Sequence, residues 1–175
     1  QEVRLKDGSR IPTIDHVFQL VKKQPATKLI LDIKDLNAGI FDYAKLIQKI
    51  RKYQLQQRVI ILCINYYLLR RIARDYPELE YCYFGLLPQR KVLVRARKIG
   101  ARYVGALFLT KSFIRKAHKK NMQVVSLGTE NTKRLTRYIR NKVDVISSGH
   151  PSLLREMIAQ CLVETKQPTL VHRVG

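Results

Sequence analysis

The sequence has no tryptophan, three cysteines, and only 13 acidic residues against 34 Lys and Arg. The cysteines, Cys63, Cys82 and Cys161, are odd in number, and no two sit at metal-ligand spacing. Nothing in them points to a disulfide framework or a zinc site, and they leave the compartment open. Cys63 and Cys82 fall in apolar runs, where a free thiol packs as a small hydrophobe. Glycine is scarce, and no glycine-rich phosphate-binding fingerprint occurs. No stretch approaches the ~18 apolar residues of a membrane-spanning helix. No signal-peptide pattern opens the chain, whose first segment is polar. A chain starting on Gln1 and not Met is expected to have been processed or cut from a longer one. Localisation stays open between cytoplasmic and membrane-associated.

The shortage of acid leaves a formal net charge of +21, spread along the whole length. Such a field favours an anionic partner: nucleic acid, an acidic membrane face or a phosphate-bearing substrate. A Lys/Arg-rich proteome would produce the same excess. Arg70, Arg71, Arg74, Lys91, Arg95, Arg97, Lys98, Lys116, Lys119 and Lys120 lie mostly on expected helices and read as a solvated outer face. No zinc finger, RNA-recognition signature or helix-turn-helix is present, so nucleic acid is not the favoured partner.

What is present is an alternation of two periods. Lys28–Lys34 is a short apolar run rich in branched residues and reads as a buried strand. Asp35–Gly39 is a loop, and Phe41–Tyr53 has apolar residues at helical spacing. The cycle repeats: strand Arg58–Ile64, helix Tyr66–Asp75; strand Leu79–Phe84, helix Pro88–Ile99, with Gly100 closing it. Strand Arg102–Leu109 follows, and Thr110 caps helix Lys111–Lys120. Strand Gln123–Leu127, helix Thr132–Arg140, strand Val143–Ser147 and helix Pro151–Leu162 complete the series. A further helix, about Ile14–Lys23 with Thr13 as N-cap, precedes the first strand. The strands are continuous apolar runs, which predicts a parallel sheet covered by helices on both faces. An open doubly wound sheet and a closed (β/α)8 barrel both fit. Six units are two short of a closed eight-stranded barrel. Residues 1–163 are expected to form one partial barrel domain, with 164–175 a C-terminal tail.

Asp32 and Lys34 are the foremost candidates for chemistry. Two residues apart near the end of a strand, they share one face. Strand C-terminal ends form the active-site rim of an α/β barrel. A carboxylate there suits Ca²⁺ or Mg²⁺, and a lysine would stabilise charge on a phosphoryl group. A plain Asp–Lys pair at a strand end is the structural alternative. His16 and His118 fall on helices and read as surface groups. His150 sits at the mouth of the last unit and reads as a loop residue, and His172 lies in the tail. Ser147-Ser148-Gly149 could offer N–H groups to an anion, and Gly128–Asn131 forms another rim loop.

Several segments resemble the glycerophosphodiester phosphodiesterase family, from about Arg10 to about Leu154. Arg10-Ile11-Pro12-Thr13-Ile14-Asp15-His16-Val17 is similar to the family's "IPTLDEVL". Leu31-Asp32-Ile33-Lys34 stands where the family has "EIK". Leu68-Leu69-Arg70-Arg71-Ile72 through Pro77 resembles "LLRRI…P", and Ala117–Val124 resembles "AHKxGxxV". Val143–Ser147 through Pro151 is similar to "VDGIITDxP". Their order and spacing carry the resemblance.

The resemblance implies a (β/α)8 barrel that hydrolyses glycerophosphodiesters to glycerol 3-phosphate and an alcohol. It implies a divalent metal, Ca²⁺ or Mg²⁺, and two acid–base histidines. In the family those histidines, and two acidic metal ligands, lie on the first two barrel strands. Their motifs, "HRG", "E-x-D" and "HD", are not in this sequence. The six units therefore match strands three to eight, and the N-terminal units are missing. Asp32 stands in place of a metal-binding glutamate, one methylene shorter, and Lys34 matches the active-site lysine. Val125 and Gly128 replace the tryptophan and asparagine of "VWTVN", and Gly149 and His150 interrupt the terminal "TD". These departures fall on the rim and leave room for a divergent or inactive member. The alternative is a degenerate barrel acting as a basic module that binds nucleic acid or an anionic membrane.

Overall fold

The computed structural model describes residues 5–34 and 42–166, with backbone alone for 162–166. The loop expected at Asp35–Gly39, His172 and the chain beyond Lys166 lie outside the described residues. The chain divides into two compact units, residues 1–83 with 98–101 and residues 84–97 with 102–175.

The first unit opens with helix α1 (Ile14–Lys23), whose N-cap Thr13 accepts from the His16 N–H. Strand β1 (Leu29–Ile33), helix α2 (Tyr43–Lys52), strand β2 (Val59–Cys63), helix α3 (Tyr66–Asp75) and strand β3 (Glu80–Gly85) follow. Each helix presents an apolar stripe to the strands. Phe18 and Val21 of α1, Leu46, Ile47 and Ile50 of α2, and Leu68, Leu69 and Ile72 of α3 are buried. Asp42 and Asn65 cap α2 and α3 by accepting from N–H groups three residues on. The Arg58 guanidinium donates to the carbonyls of Val21, Gln24 and Thr27, which ties the C-terminal end of α1 and the turn after it to the start of β2. The strands are parallel, and the register puts Asp32 opposite Leu62 and Leu62 opposite Cys82.

One expectation needs correction here. The first strand is only partly buried: Leu29, Ile30 and Leu31 are half-exposed and only Ile33 is buried. The physical reason is its place in the ladder. Among the described residues β1 pairs with β2 alone, so one flank of the strand carries no neighbour.

The second unit runs from the end of β3 through helix α4 (Gln89–Ile99), strand β4 (Tyr103–Ala106) and helix α5 (Lys111–His118). Strand β5 (Gln123–Val125), helix α6 (Thr132–Arg140) and helix α7 (Pro151–Lys166) complete it. Strands β4 and β5 are parallel, with Gly105 opposite Val125. Thr110 and Asn131 cap α5 and α6. Strand β4 is buried along its whole length. It is shorter than the apolar run that predicted it, because Leu107 and Phe108 turn out to solvent. The Gln89 amide donates to the Phe108 carbonyl, and Thr110 Oγ1 donates to Gln89 Oε1 at 2.8 Å. The Phe108 carbonyl thus bonds to a side chain and not to a neighbouring strand.

The expected strand Val143–Ser147 is reduced to an isolated parallel bridge between Val125 and Val145. The Asp144 and Val145 N–H groups both donate to the Val124 carbonyl. Two residues on, the Ser147 N–H finds the Ser126 hydroxyl at 3.1 Å instead of a carbonyl. A side-chain acceptor has taken the place of the ladder. Helix α7 extends to Lys166, so residues 164–166 of the expected tail are helical.

Parallel strands alternating with helices in chain order make this an α/β fold, of the kind expected for a partial (β/α)8 barrel. Burial of Cys82 within it has a consequence for stability. Burial, with the Asp32 carboxylate adding to it, pushes the thiol from 9.0 up to about 12. Between those values the unfolded chain releases a proton that the folded chain keeps. Stability is therefore full below pH ~9 and falls as pH rises above it, by about 1.4 kcal/mol per pH unit from this group. Urea midpoints measured from pH 8 to about 10 should decline. The decline should be shallower in Cys82→Ala, and an unchanged slope in that variant would assign the effect elsewhere.

Candidate active-site rim

In parallel βα units the side chains that meet a ligand stand at the C-terminal ends of strands. In the first unit this end carries Asp32 and Lys34. Strand alternation puts both on one face, as expected, and Lys34 Nζ lies 3.5 Å from Asp32 Oδ2. Their side chains are 80% and 46% exposed, lysine first. An exposed pair at that distance contributes at most about 1 kcal/mol. Both groups are thus open to a ligand. The same register row continues through Leu62 to Cys82. Cys82 is fully buried, and a thiol held that far above neutrality is no nucleophile.

Asp32 offers one hard carboxylate, suited to Ca²⁺ or Mg²⁺, which take six or more oxygens. Among the described residues no three His, Cys, Asp or Glu side chains come together. Asp32 fits as a single ligand, and the described residues do not complete a metal site around it.

In the second unit the rim loops bring together His150 and Glu130, with Nε2 and Oε1 at 3.4 Å. The sequence puts both in rim loops and gives no sign that they meet. Both are well exposed, and the Ser148 hydroxyl accepts from the His150 N–H at 3.0 Å. A Cβ on Gly149 would stand 2.9 Å from Glu130 Oε1, the mobile end of an exposed side chain, so a larger residue there would displace the carboxylate from its present place. Ser126, buried at the end of β5, holds the Ser147 N–H. The Ser147 N–H and the Ser148 hydroxyl are thus tied into loop contacts.

His118, expected on the surface, is half-buried, with Nε2 2.8 Å from Asp144 Oδ2. The same carboxylate oxygen accepts from the Val124 N–H at 2.7 Å. This pair joins α5 to the edge of β5, so its role is structural. His16, as expected, lies on an exposed helix face, with Nδ1 3.2 Å from Thr13 Oγ1. Most of the expected outer cations are exposed, and Arg71 also donates to the Tyr43 hydroxyl at 2.8 Å. The rim features that sequence reading missed are apolar. Leu86, Leu107, Phe108 and Leu127 each follow a strand end and are exposed.

No family model matches the chain. A glycerophosphodiester phosphodiesterase from Caldanaerobacter subterraneus subsp. tengcongensis is 37% identical over 86 residues, 47% of this chain and 32% of that protein. The chain thus spans about a third of that curated relative. Among solved structures, a Galdieria sulphuraria protein described as a glycerophosphodiester phosphodiesterase superposes with a TM-score of 0.78 at 21% identity. That match covers 90% of this chain and 67% of the other. An Oleispira antarctica phosphodiesterase, solved with its product sn-glycerol-3-phosphate, superposes with a TM-score of 0.71 at 15% identity. It covers 86% of this chain and 62% of that one. At such identities the solved structures establish the fold. Over those 86 residues the sequence is similar to a glycerophosphodiester phosphodiesterase, and over most of its length the fold is that of solved proteins so described.

Proposed function

We propose that the chain supplies strands three to eight of a barrel that hydrolyses glycerophosphodiesters to glycerol 3-phosphate and an alcohol. In that reaction water adds to phosphorus, the bond to the departing alcohol oxygen breaks, and that oxygen takes a proton. The observation that carries the reading is the open Asp32–Lys34 pair at a strand end, in a chain 37% identical over 86 residues to a glycerophosphodiester phosphodiesterase. Lys34 donates to a non-bridging phosphoryl oxygen and stabilises the charge that builds on it. Asp32 contributes one oxygen ligand to a divalent cation, Ca²⁺ or Mg²⁺. The remaining ligands and the acid–base histidines come from the first two strands of the barrel. The sequence lacks those histidine motifs, so the 175 residues alone are inactive.

The test is an assay for released glycerol 3-phosphate, with glycerophosphocholine as substrate and Ca²⁺ or Mg²⁺ added. It is run on this chain and on any longer natural protein that carries it. Turnover is expected from the longer protein and not from the 175 residues. A longer protein carrying both histidine motifs but giving no product with any glycerophosphodiester would remove the proposal.

A further inference from the structure

We infer that the strand-end face of the second unit docks on an anionic lipid bilayer, with Phe108 and Leu86 entering the interface. Two observations converge on that face. The first is apolar exposure at the loops after β3, β4 and β5. Leu86 is 65% and Phe108 68% exposed, and Leu107 and Leu127 are exposed as well. The loop carrying Phe108 is held out by the Gln89 amide at its carbonyl, so the ring is presented on a braced turn.

The second observation is the charge around them. Helices α4, α5 and α6 begin at this same end, and none has an acidic residue in its first turn. Helix dipoles favour acid there. This chain instead has exposed Arg90, Lys91, Lys111, Lys133 and Arg134. Cations at those positions work against the helices, so helix stability does not account for them. They add to the positive helix ends and create one field of a single sign. Glu130, the one acid on these three loops, lies against His150.

A double-stranded nucleic acid would use the cations and leave the leucines and Phe108 in water, and a single strand would stack on Phe108 but leave the three leucines exposed. A neutral protein partner would use the apolar tips and leave the cations unmatched. An anionic bilayer takes both, phosphates and carboxylates at the rim and acyl chains beneath the tips. This inference is independent of the hydrolase reading, since it needs no turnover.

The sequence has no tryptophan, so Phe108→Trp gives a single reporter. The 175-residue chain carrying it is mixed with vesicles of phosphatidylcholine, with or without about 30% phosphatidylserine, at low salt. Its emission should shift to the blue with the anionic vesicles only. Lys119→Trp, at the far end of α5, should not shift. In vesicle co-sedimentation of the chain without added tryptophan, Phe108→Ser with Leu86→Ser should weaken binding about tenfold. Each charge reversal, such as Arg90→Glu or Lys111→Glu, should weaken it about fivefold. All four positions are exposed, and circular dichroism checks that the fold persists. Equal binding to neutral vesicles overturns the inference. So does binding lost on charge reversal but kept in the serine double variant, which marks a purely anionic partner such as nucleic acid. A blue shift without vesicles that grows with protein concentration overturns it in favour of a second copy of the chain.

Discussion

Gly105→Val is expected to cost about 3 kcal/mol or more of folding free energy. Gly105 sits in the buried β4, opposite Val125 of β5. A Cβ placed there would lie 2.4 Å from Phe84 Cδ2, 2.6 Å from Phe84 Cε2 and 2.9 Å from the Val125 carbonyl oxygen. The Phe84 ring is 4% exposed and packs where that Cβ would go. The Val125 oxygen is backbone of the neighbouring strand, so it cannot swing aside without disturbing the ladder. Even alanine forces a shift, and valine adds two further methyl groups. Urea unfolding should show a lowered midpoint with an unchanged slope. Coupling with Phe84→Leu separates the two obstacles. If the ring is the main one, the double variant Gly105→Ala/Phe84→Leu costs less than the sum of its parts. If Gly105→Val unfolds at the wild-type midpoint, the close approach of Phe84 to the strand is wrong.

Much of this arrangement could be read from local signals. Thr13 and Thr110 are each followed by a helical run, and both cap it in the structure. The order of strands and helices came from the change of period along the chain. Strand alternation was enough to put Asp32 and Lys34 on one face. What escaped depends on partners far along the chain. Leu107 and Phe108 continue an apolar run and read as strand, yet both are exposed, and the Phe108 carbonyl accepts from the Gln89 amide, 19 residues earlier. His118 looks like a surface residue on its own helix until Asp144, 26 residues later, meets it. The last strand has the right composition, and the Ser126 hydroxyl diverts its backbone. The apolar rim had no periodic signal at all. It consists of single residues just past strand ends, where a strand and a turn share the same letters.

Lys34→Ala, made in an active longer protein, should lower kcat for a glycerophosphodiester about 10²–10³-fold, the usual effect of deleting one donor to a developing oxyanion. The side chain is 80% exposed and its pairing with Asp32 is loose, so removal should leave the unfolding midpoint within about 0.5 kcal/mol of wild type. A loss of activity without a loss of stability is therefore a statement about chemistry. Lys34→Arg keeps the charge but changes its shape, and should recover part of the rate. Asp32→Asn should behave differently. It removes the charge that attracts a cation, so it should raise the Ca²⁺ or Mg²⁺ concentration needed for half-maximal rate and leave much of kcat at saturating metal. The two variants thus separate a group that meets the phosphoryl oxygen from one that helps hold the ion. If Lys34→Ala turns over at the wild-type rate, the lysine is a plain strand-end partner of Asp32. The field of +21 would then act on encounter with an anionic substrate and not on its conversion. A kcat loss unaffected by salt, with KM rising at high salt, is the pattern expected when Lys34 acts on the transition state and the other cations act on approach.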